Sequence, residues 1–136
     1  LKKIANSNIE FMDHIDDKEL YTLYAKAKAL IFPQHEDYGL TPIEAYASGT
    51  PVIAYNHGGV LDTGIPYSNN EDKCTMILFE SQTKESLIKA INNFENIRFN
   101  TKFIINHSEN FDDKIFRKKI NQYIRNKYKI FKQTIV

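Results

Sequence analysis

Two carboxylates, Glu36 and Glu44, stand on either side of a predicted loop-to-helix turn and are the first candidates for chemistry. The helix N-terminus between them presents free N–H groups and a partial positive charge, which favour an anion. Carboxylates repel an anion but accept hydrogen bonds from paired hydroxyls, and each charge-assisted bond contributes about 1.5–3 kcal/mol. The pattern therefore indicates a ligand with an anionic centre flanked by polyols, such as a nucleotide-diphosphate sugar.

Two glycine-containing loops follow short apolar runs, and both are candidates for the ligand edge. They cover residues 34–40 and 56–59. In open α/β sheets, ligands bind beyond the carboxyl ends of the strands. Gly39, Gly58 and Gly59 allow the backbone to approach a ligand closely. We therefore expect the two loops to open on the same edge of a sheet.

Each of these residues also has a plainer interpretation. Glu44 completes a capping box with Thr41, and Glu36 taken alone is a solvated loop acid. His35 and His57 lie in the two loops and are candidate pocket-lining residues. The four histidines show no metal-ligand spacing, so no metal site is predicted.

The elements that must hold these loops alternate between strand and helix. Short apolar or alternating runs predict strands, and amphipathic runs behind capping residues predict helices. Strands are predicted at residues 8–12, 30–32, 51–55 and 76–79, and helices from Asp16, from Thr41 to a cap at Gly49, within 60–75, at 83–94, at 100–108 and from Asp112. This alternation with short connections predicts an α/β, Rossmann-like domain with a mainly parallel sheet.

The composition is that of a globular protein. The chain has 136 residues, of which 42% are hydrophobic and 26% charged, so it suits one domain with a real core rather than a disordered segment. No apolar run is long enough to span a bilayer, and no signal peptide is evident. Cys74, expected to be a packed thiol, is the only cysteine, which excludes an internal disulfide and favours a reducing, cytoplasmic compartment.

The net charge of +1 hides an uneven distribution. Residues 1–66 carry 5 Lys and 9 acidic side chains, a net of −4, whereas residues 67–136 carry 13 basic and 8 acidic side chains, a net of +5. From Lys114 onward there are 8 basic residues and no acidic one. This tail is either a solvated helix face or a contact for an anionic membrane. Nucleic acid is not expected, because no groove-reading motif accompanies the charge.

The segment from Glu36 to Gly59, EDYGLTPIEAYASGTPVIAYNHGG, resembles the donor-binding signature of family 4 glycosyltransferases. These are retaining enzymes of the GT-B fold. Two Glu residues followed by a Pro-Val strand and a Gly-Gly turn are specific in combination, and the wider match runs from Asn8 to about Phe94. The Thr-Pro-Ile-Glu variant at residues 41–44 most resembles bacterial and archaeal mannosyltransferases.

The resemblance implies a role for each matching residue. Glu36 would be the catalytic residue at the reacting face of the donor sugar, and Glu44 would hold the ribose hydroxyls. The other donor-binding residues would be Tyr38, Gly39, Leu40 and Thr41, which lie against the sugar and diphosphate mainly through backbone N–H groups. Gly58 and Gly59 would border the same pocket. No cofactor is implied beyond the donor itself, which would be GDP-mannose or a UDP-sugar. The acceptor would be a saccharide or a lipid-linked acceptor.

The same resemblance implies that part of the enzyme lies outside this chain. Family members place an Arg and a Lys on the diphosphate from a segment that would precede Leu1, and no Lys or Arg occurs between residues 29 and 72. We therefore expect residues 1–111 to form an incomplete C-terminal donor-binding domain of a GT-B enzyme. Residues 112–136 would form a basic amphipathic helix that packs on this domain or extends from it. Without the N-terminal GT-B region, we expect the isolated chain to be inactive.

Two other interpretations stay open at this point. One is a non-catalytic remnant that docks on a partner or membrane through its basic tail. The other is a different GT-B enzyme, such as a sugar-nucleotide epimerase. Under the transferase interpretation, the protein works in the cytoplasm in polysaccharide biosynthesis, with peripheral contact at the inner membrane surface.

Overall fold

The described part of the chain contains three strands, which form one parallel sheet. The computed structural model describes residues 2–134. The strands are β1 (Leu30–Phe32), β2 (Val52–Tyr55) and β3 (Met76–Phe79), paired in the order β1-β2-β3. In the parallel register, Leu30 aligns with Val52, and Val52 aligns with Met76. All three strands therefore end at one edge, as the predicted architecture requires.

Helices connect the strands and cover the sheet. Within residues 2–134 they are α1 (Asp17–Lys26), α2 (Leu40–Ala47), α3 (Val60–Thr63), α4 (Lys84–Phe94), α5 (Thr101–Ser108) and α6 (Asp113–Thr134), with short 3-10 helices at Lys2–Ile4, Glu71–Lys73 and Glu109–Phe111. Asp16 and Thr83 each accept an N–H bond from the residue three positions on, at 2.8 and 3.3 Å. These caps confirm the predicted starts of α1 and α4.

Apolar side chains pack on both faces of the sheet. Successive residues of a strand point to opposite faces, so Val52 and Ala54 join one cluster with Tyr46, whereas Ile53 joins another with Ile77. Helices α1, α2 and α5 contribute to the first cluster, and α4 contributes to the second. This packing holds the strands in place and leaves the loops at their carboxyl ends to form a surface.

The prediction of a strand at residues 8–12 is wrong. Ile9, Phe11 and Met12 alternate with polar residues as in a strand, but their side chains are exposed. The N–H of Ile9 instead bonds the Asn6 carbonyl at 3.1 Å in a local turn. An alternating run becomes a strand only where a partner strand pairs with its backbone, and none of the described strands does so.

Helix α6 begins one residue after Asp112, as predicted, and the Asp112 carboxylate accepts the N–H of Lys114 at 2.7 Å. Every residue of α6 is exposed. The outer ends of the two predicted domain ranges, Leu1 and residues 135–136, lie outside the described residues. The division of the chain at residue 111 stays a prediction.

Candidate functional site

The loops that follow β1 and β2 meet at the carboxyl edge of the sheet. The N–H of Gly59 donates to the carbonyl of Glu36 at 2.8 Å, so the turn after β2 is tied directly to the loop after β1. The two loops singled out in the sequence therefore share one edge. We call them the edge loops, residues 34–40 and 56–59.

The loop after β3 also belongs to this edge, and sequence reasoning missed it. The Asn56 side-chain amide donates to both carboxylate oxygens of Glu80, at 3.0 and 2.9 Å. Gln82 Nε2 donates to the carbonyl of Pro33 at 2.8 Å. The signal was available, because residues after a third parallel strand lie at the same edge as those after the first two.

Gly58 and Gly59 are required by the contact between the edge loops. Gly58 has a φ of +82°, a conformation that disfavours any residue with a Cβ. A methyl group on Gly58 would overlap the Glu36 carbonyl, and one on Gly59 would overlap the backbone of Asp37 and Tyr38. Both glycines therefore let one loop pack directly on the other.

Helix α2 begins two residues earlier than predicted, which changes the interpretation of Glu44. The N-cap is Gly39, with a φ of +77°, and no side chain caps the helix. Thr41 therefore lies inside the first turn, and the capping box expected between Thr41 and Glu44 does not form. The glycine makes the earlier start accessible because it adopts the left-handed conformation without strain. The N–H groups of the first turn receive no side-chain cap, which leaves them free to bind an anion.

The two carboxylates differ in their surroundings. Glu36 is exposed, and its Oε1 accepts a hydrogen bond from Gln34 Nε2 at 3.1 Å. Glu44 is half-buried, and the hydroxyl of Tyr24 on α1 donates to its Oε2 over a long 3.4 Å. Burial, followed by the nearby Glu44 charge, raises the pKa of Tyr24, so the phenol keeps its proton. Sequence reasoning missed this contact, because Tyr24 and Glu44 lie 20 residues apart in the chain.

Aromatic rings surround the outer end of the edge loops. The His35 and His57 rings meet edge-on at 6.1 Å, and Tyr55 stacks on His57 at 4.7 Å. Both imidazoles are exposed. The structure therefore brings the two candidate pocket-lining histidines together. Within residues 2–134, no three His, Cys, Asp or Glu side chains are grouped so that they could hold a metal ion.

A shallow apolar groove adjoins the start of α2. Tyr38 and Leu40, both predicted donor-binding residues, are 51% and 64% exposed. With Ile43, Phe111 and Phe116 they line a groove of about 320 Å³. Sequence reasoning missed the two phenylalanines, because they reach this loop only through the packing of α5 against α2.

The charges at this edge are mostly negative. The ion pairs within residues 2–134 all lie elsewhere, and neither Glu36 nor Glu44 takes part in one. Residues 29–72 contain no Lys or Arg, so within these loops an anion would meet backbone N–H groups, and Lys119 of α6 lines a neighbouring groove with Tyr38. The carboxylates suit the hydroxyl groups of the same ligand.

The parallel sheet and the helices that cover it define a Rossmann-like α/β domain. The chain belongs to the glycosyltransferase group 1 family, whose model, Glycosyl transferases group 1, matches residues 1–127. The family relationship expected from residues 36–59 is therefore confirmed.

Curated relatives include both mannosyltransferases and glycogen synthases. The chain is 38% identical over 94 residues to an O-antigen chain mannosyltransferase of Salmonella typhimurium, covering 65% of this chain and 26% of that protein. It is 30% identical over 106 residues to a glycogen synthase of Mycoplasma mobile, covering 75% of this chain and 22% of that protein. The chain thus spans about a quarter of the length of these relatives.

The predicted fold class is confirmed by a solved structure. The chain is similar to sucrose-phosphate synthase from Thermosynechococcus elongatus, with a TM-score of 0.72 and 28% sequence identity. The match covers 89% of this chain and 30% of that one. Helices and strands of the described residues therefore follow the arrangement of a known glycosyltransferase-type domain.

Proposed function

We propose that this chain is the donor-binding part of a retaining glycosyltransferase. In this proposal it binds a nucleotide-diphosphate sugar at the edge loops, and the complete enzyme transfers the sugar to a saccharide or a lipid-linked acceptor. One observation carries the proposal: two carboxylates flank an uncapped helix start where two glycine loops are tied together. That edge offers N–H groups for a diphosphate and acceptors for the hydroxyls on either side of it.

The proposed roles follow the different exposure of the two carboxylates. Glu44 is half-buried and contacted by Tyr24, so it offers a fixed acceptor pair for the ribose diol. Glu36 is exposed on the loop and contacts the donor sugar. The backbone from Tyr38 to Thr41 lies against the diphosphate, with the turn at Gly58 and Gly59 behind it. His35 and His57 line the outer end.

The chemistry proposed for the sugar transfer retains the anomeric configuration. The leaving diphosphate departs and the acceptor attacks on the same face of the sugar, with no protein nucleophile. Negative charge then develops on the diphosphate and is stabilised electrostatically by the first turn of α2 and by cations from outside residues 29–72. Helix termini contribute only about 0.3–1 kcal/mol each at exposed sites, so those cations supply most of the stabilisation.

The proposed donor is GDP-mannose or a UDP-sugar, and the proposed location is the cytoplasm. Mannosyltransferases among the relatives favour mannose. The single cysteine favours a reducing compartment. The non-catalytic remnant considered above is not favoured, because the relatives named here are sugar transferases and synthases rather than binding modules.

The ribose assignment is tested with Glu44→Gln in the full-length protein. The change keeps the shape of the side chain and removes its charge. We expect the affinity for GDP or UDP, measured by calorimetry, to fall by about 10- to 100-fold, which corresponds to about 1.5–3 kcal/mol. The loss should vanish with a 2′,3′-dideoxynucleoside diphosphate, because the diol is then absent.

The matched control is Glu95→Gln, which removes an exposed carboxylate that pairs with Lys28 at 3.5 Å away from the edge loops. Nucleotide affinity should not change in this variant. Glu36→Gln should lower the rate of sugar transfer while leaving nucleotide affinity intact. Equal losses for the ribo- and dideoxynucleotides in Glu44→Gln would refute the ribose assignment.

A further inference from the structure

The loop after β3, residues 80–82, reaches across the carboxyl edge of the sheet, and we call it the crossing loop. In the strand order β1-β2-β3, β1 and β3 lie on opposite sides of β2, so a contact from one to the other must extend past β2. Gln82 makes such a contact, because its Nε2 donates to the carbonyl of Pro33, directly after β1, at 2.8 Å. The crossing loop therefore spans the edge on which the edge loops lie.

Helix α4 gives the crossing loop a fixed attachment. Thr83 caps this helix by accepting the N–H of Ser86 at 3.3 Å, and Ser86 Oγ accepts the N–H of Ser81 at 3.3 Å. The helix packs on the sheet through Ala90, which is buried in the same apolar cluster as Ile77. The crossing loop is therefore bonded to an element that the core holds in place.

A first route leads from the crossing loop to Glu36 through the turn after β2. The Asn56 N–H donates to the Phe79 carbonyl at 2.9 Å, and the Asn56 side-chain amide donates to both carboxylate oxygens of Glu80. A carboxylate only accepts hydrogen bonds, so the amide nitrogen must face it. Three residues later, the Gly59 N–H donates to the Glu36 carbonyl at 2.8 Å. Glu80 therefore holds the start of a turn whose other end bonds the Glu36 backbone.

A second route reaches the side chain of the same residue. Gln82 holds the carbonyl of Pro33, and the next residue, Gln34, donates from Nε2 to Glu36 Oε1 at 3.1 Å. Because Glu36 is exposed, hydrogen bonds rather than close packing must keep its carboxylate in one direction. The two routes from the crossing loop therefore converge on Glu36, one at its backbone and one at its carboxylate.

We propose that the crossing loop positions Glu36 for sugar transfer, with Glu80, Asn56 and Gln82 as positioning residues. This inference rests on the proposed function, in which Glu36 contacts the donor sugar. Displacing such a group by about 1 Å can lower the rate of a reaction by about 100-fold. The affinity for the nucleotide should respond much less, because Glu44, the proposed ribose ligand, lies on α2 and is contacted from α1 instead.

The first test is Asn56→Asp in the full-length protein, which keeps the shape of the side chain and sets two carboxylates against each other. We expect the rate of nucleoside diphosphate release from GDP-mannose or UDP-glucose to fall by about 10- to 100-fold. The affinity for GDP or UDP should fall by less than about threefold.

Adding Glu80→Gln to Asn56→Asp exchanges the donor and the acceptor of this pair. The amide then faces the carboxylate again, so the rate should recover to within about threefold of that of the unchanged protein. Two residues that supported the fold separately would show no such recovery, because a second substitution would only add to the loss.

Gln82→Glu tests the second route, since it removes the donor to the Pro33 carbonyl without changing the shape of the side chain. The release rate should fall by about 3- to 10-fold, as expected for one lost hydrogen bond. Asn96→Asp is the matched control, because it makes the same kind of change to an amide that donates to the Asn92 carbonyl at 2.8 Å, beyond the far end of α4. It should change neither rate nor affinity.

Amide hydrogen exchange at Gly59 gives a readout that needs no activity. Asn56→Asp should speed this exchange by about tenfold, and the combined variant should restore it. If the unchanged protein releases no nucleotide, the proposed function fails, and the exchange at Gly59 still decides whether the crossing loop holds the edge loops. In an active enzyme, an unchanged rate in Asn56→Asp, or no recovery in the combined variant, overturns the inference. So does a rate loss that matches the loss of folded protein in urea denaturation.

Discussion

The edge loops and helix α6 differ in what holds them. In the loops, the Gly59 N–H reaches the Glu36 carbonyl at 2.8 Å, and neither Gly58 nor Gly59 has room for a side chain. In α6, every residue is exposed, and the residues that line grooves with the body, Asp113, Phe116 and Lys119, all lie in its first two turns. Close packing therefore holds the edge loops in position, whereas α6 is held by its own backbone hydrogen bonds and by any surface that it contacts.

The two regions should therefore respond differently to substitutions. A region held by close contact responds strongly to one added methyl group, because its neighbours cannot move without breaking hydrogen bonds. A surface helix responds weakly to single changes, because each residue contributes a small, nearly independent amount. Substitutions in the two regions should therefore differ in size even when they are chemically similar.

The largest loss of stability is expected for Gly58→Ala in the edge loops. The methyl group meets the Glu36 carbonyl, and the positive φ is strained for alanine. Overpacking and backbone strain together should lower the free energy of unfolding by about 2–4 kcal/mol. Urea denaturation measures this change. Asn126→Ala in α6 is the control and should change stability by less than about 0.5 kcal/mol. Equal losses of stability in Gly58→Ala and Asn126→Ala would contradict the expected difference between the edge loops and α6.

The next effect concerns the buried core, where Tyr46 packs with Val52 and Met76. Burial raises the pKa of Tyr46 from 10.0 to about 12 against a smaller lowering by the nearby Thr75 side chain, and no hydrogen bond of ordinary geometry reaches the Tyr46 hydroxyl from the described residues. The unfolded chain ionises first, so the stability from the neutral phenol is complete below pH 10 and is lost as the pH rises toward 12. That loss amounts to about 2–3 kcal/mol.

Tyr46→Phe should remove this alkaline decline without a large change at neutral pH, because no hydrogen bond is given up. Denaturation series at increasing pH compare the slopes of the two proteins. If the free energy of unfolding falls equally with pH in Tyr46→Phe and in the unchanged protein, the Tyr46 phenol does not contribute to the alkaline loss of stability.

A smaller effect is expected for Tyr24→Phe, which removes the donor to Glu44 and keeps the ring. Because the bond is long at 3.4 Å, stability should fall by only about 0.5 kcal/mol. Under the proposed function, nucleotide affinity should fall several-fold as Glu44 loses a fixed position. Tyr21→Phe removes an exposed hydroxyl from the same helix and is the control. An unchanged nucleotide affinity in Tyr24→Phe would show that Tyr24 does not position Glu44 for binding.

Local sequence signals predicted most of the fold. The run Leu30–Phe32 and the run Met76–Phe79 became strands at the predicted positions, and Asp16 and Thr83 capped the predicted helices. These features depend on a few consecutive residues, so their pattern is sufficient. Residues 8–12 show the limit of prediction from local patterns. A strand also requires a partner strand, which no local pattern reveals.

The sequence predicts those parts of the candidate site that come directly after a strand. It does not predict the parts that tertiary packing brings in from distant segments. The edge loops could be found because each follows a strand. The start of α2 was misplaced because Thr41 resembles a good cap, whereas the left-handed Gly39 turns the chain earlier. Tyr24, Phe111 and Phe116 reach the site from distant segments, and only tertiary contacts bring them there.

The smallest effect tests whether α6 is independent of the body. Arg117 Nε donates to Asp113 Oδ2 at 2.7 Å, one turn apart on an exposed surface. Such a pair contributes about 0.3–0.5 kcal/mol, so Asp113→Asn should lower the helix content of α6 slightly and leave the urea midpoint of the body unchanged. Circular dichroism and urea denaturation measure the two quantities, and high salt should remove the difference between the proteins. A shift of the main unfolding transition as large as that of Gly58→Ala would mean that α6 is coupled to the edge loops. In that case the contact of Phe116 with the groove would be part of the core, and the two regions would unfold as one.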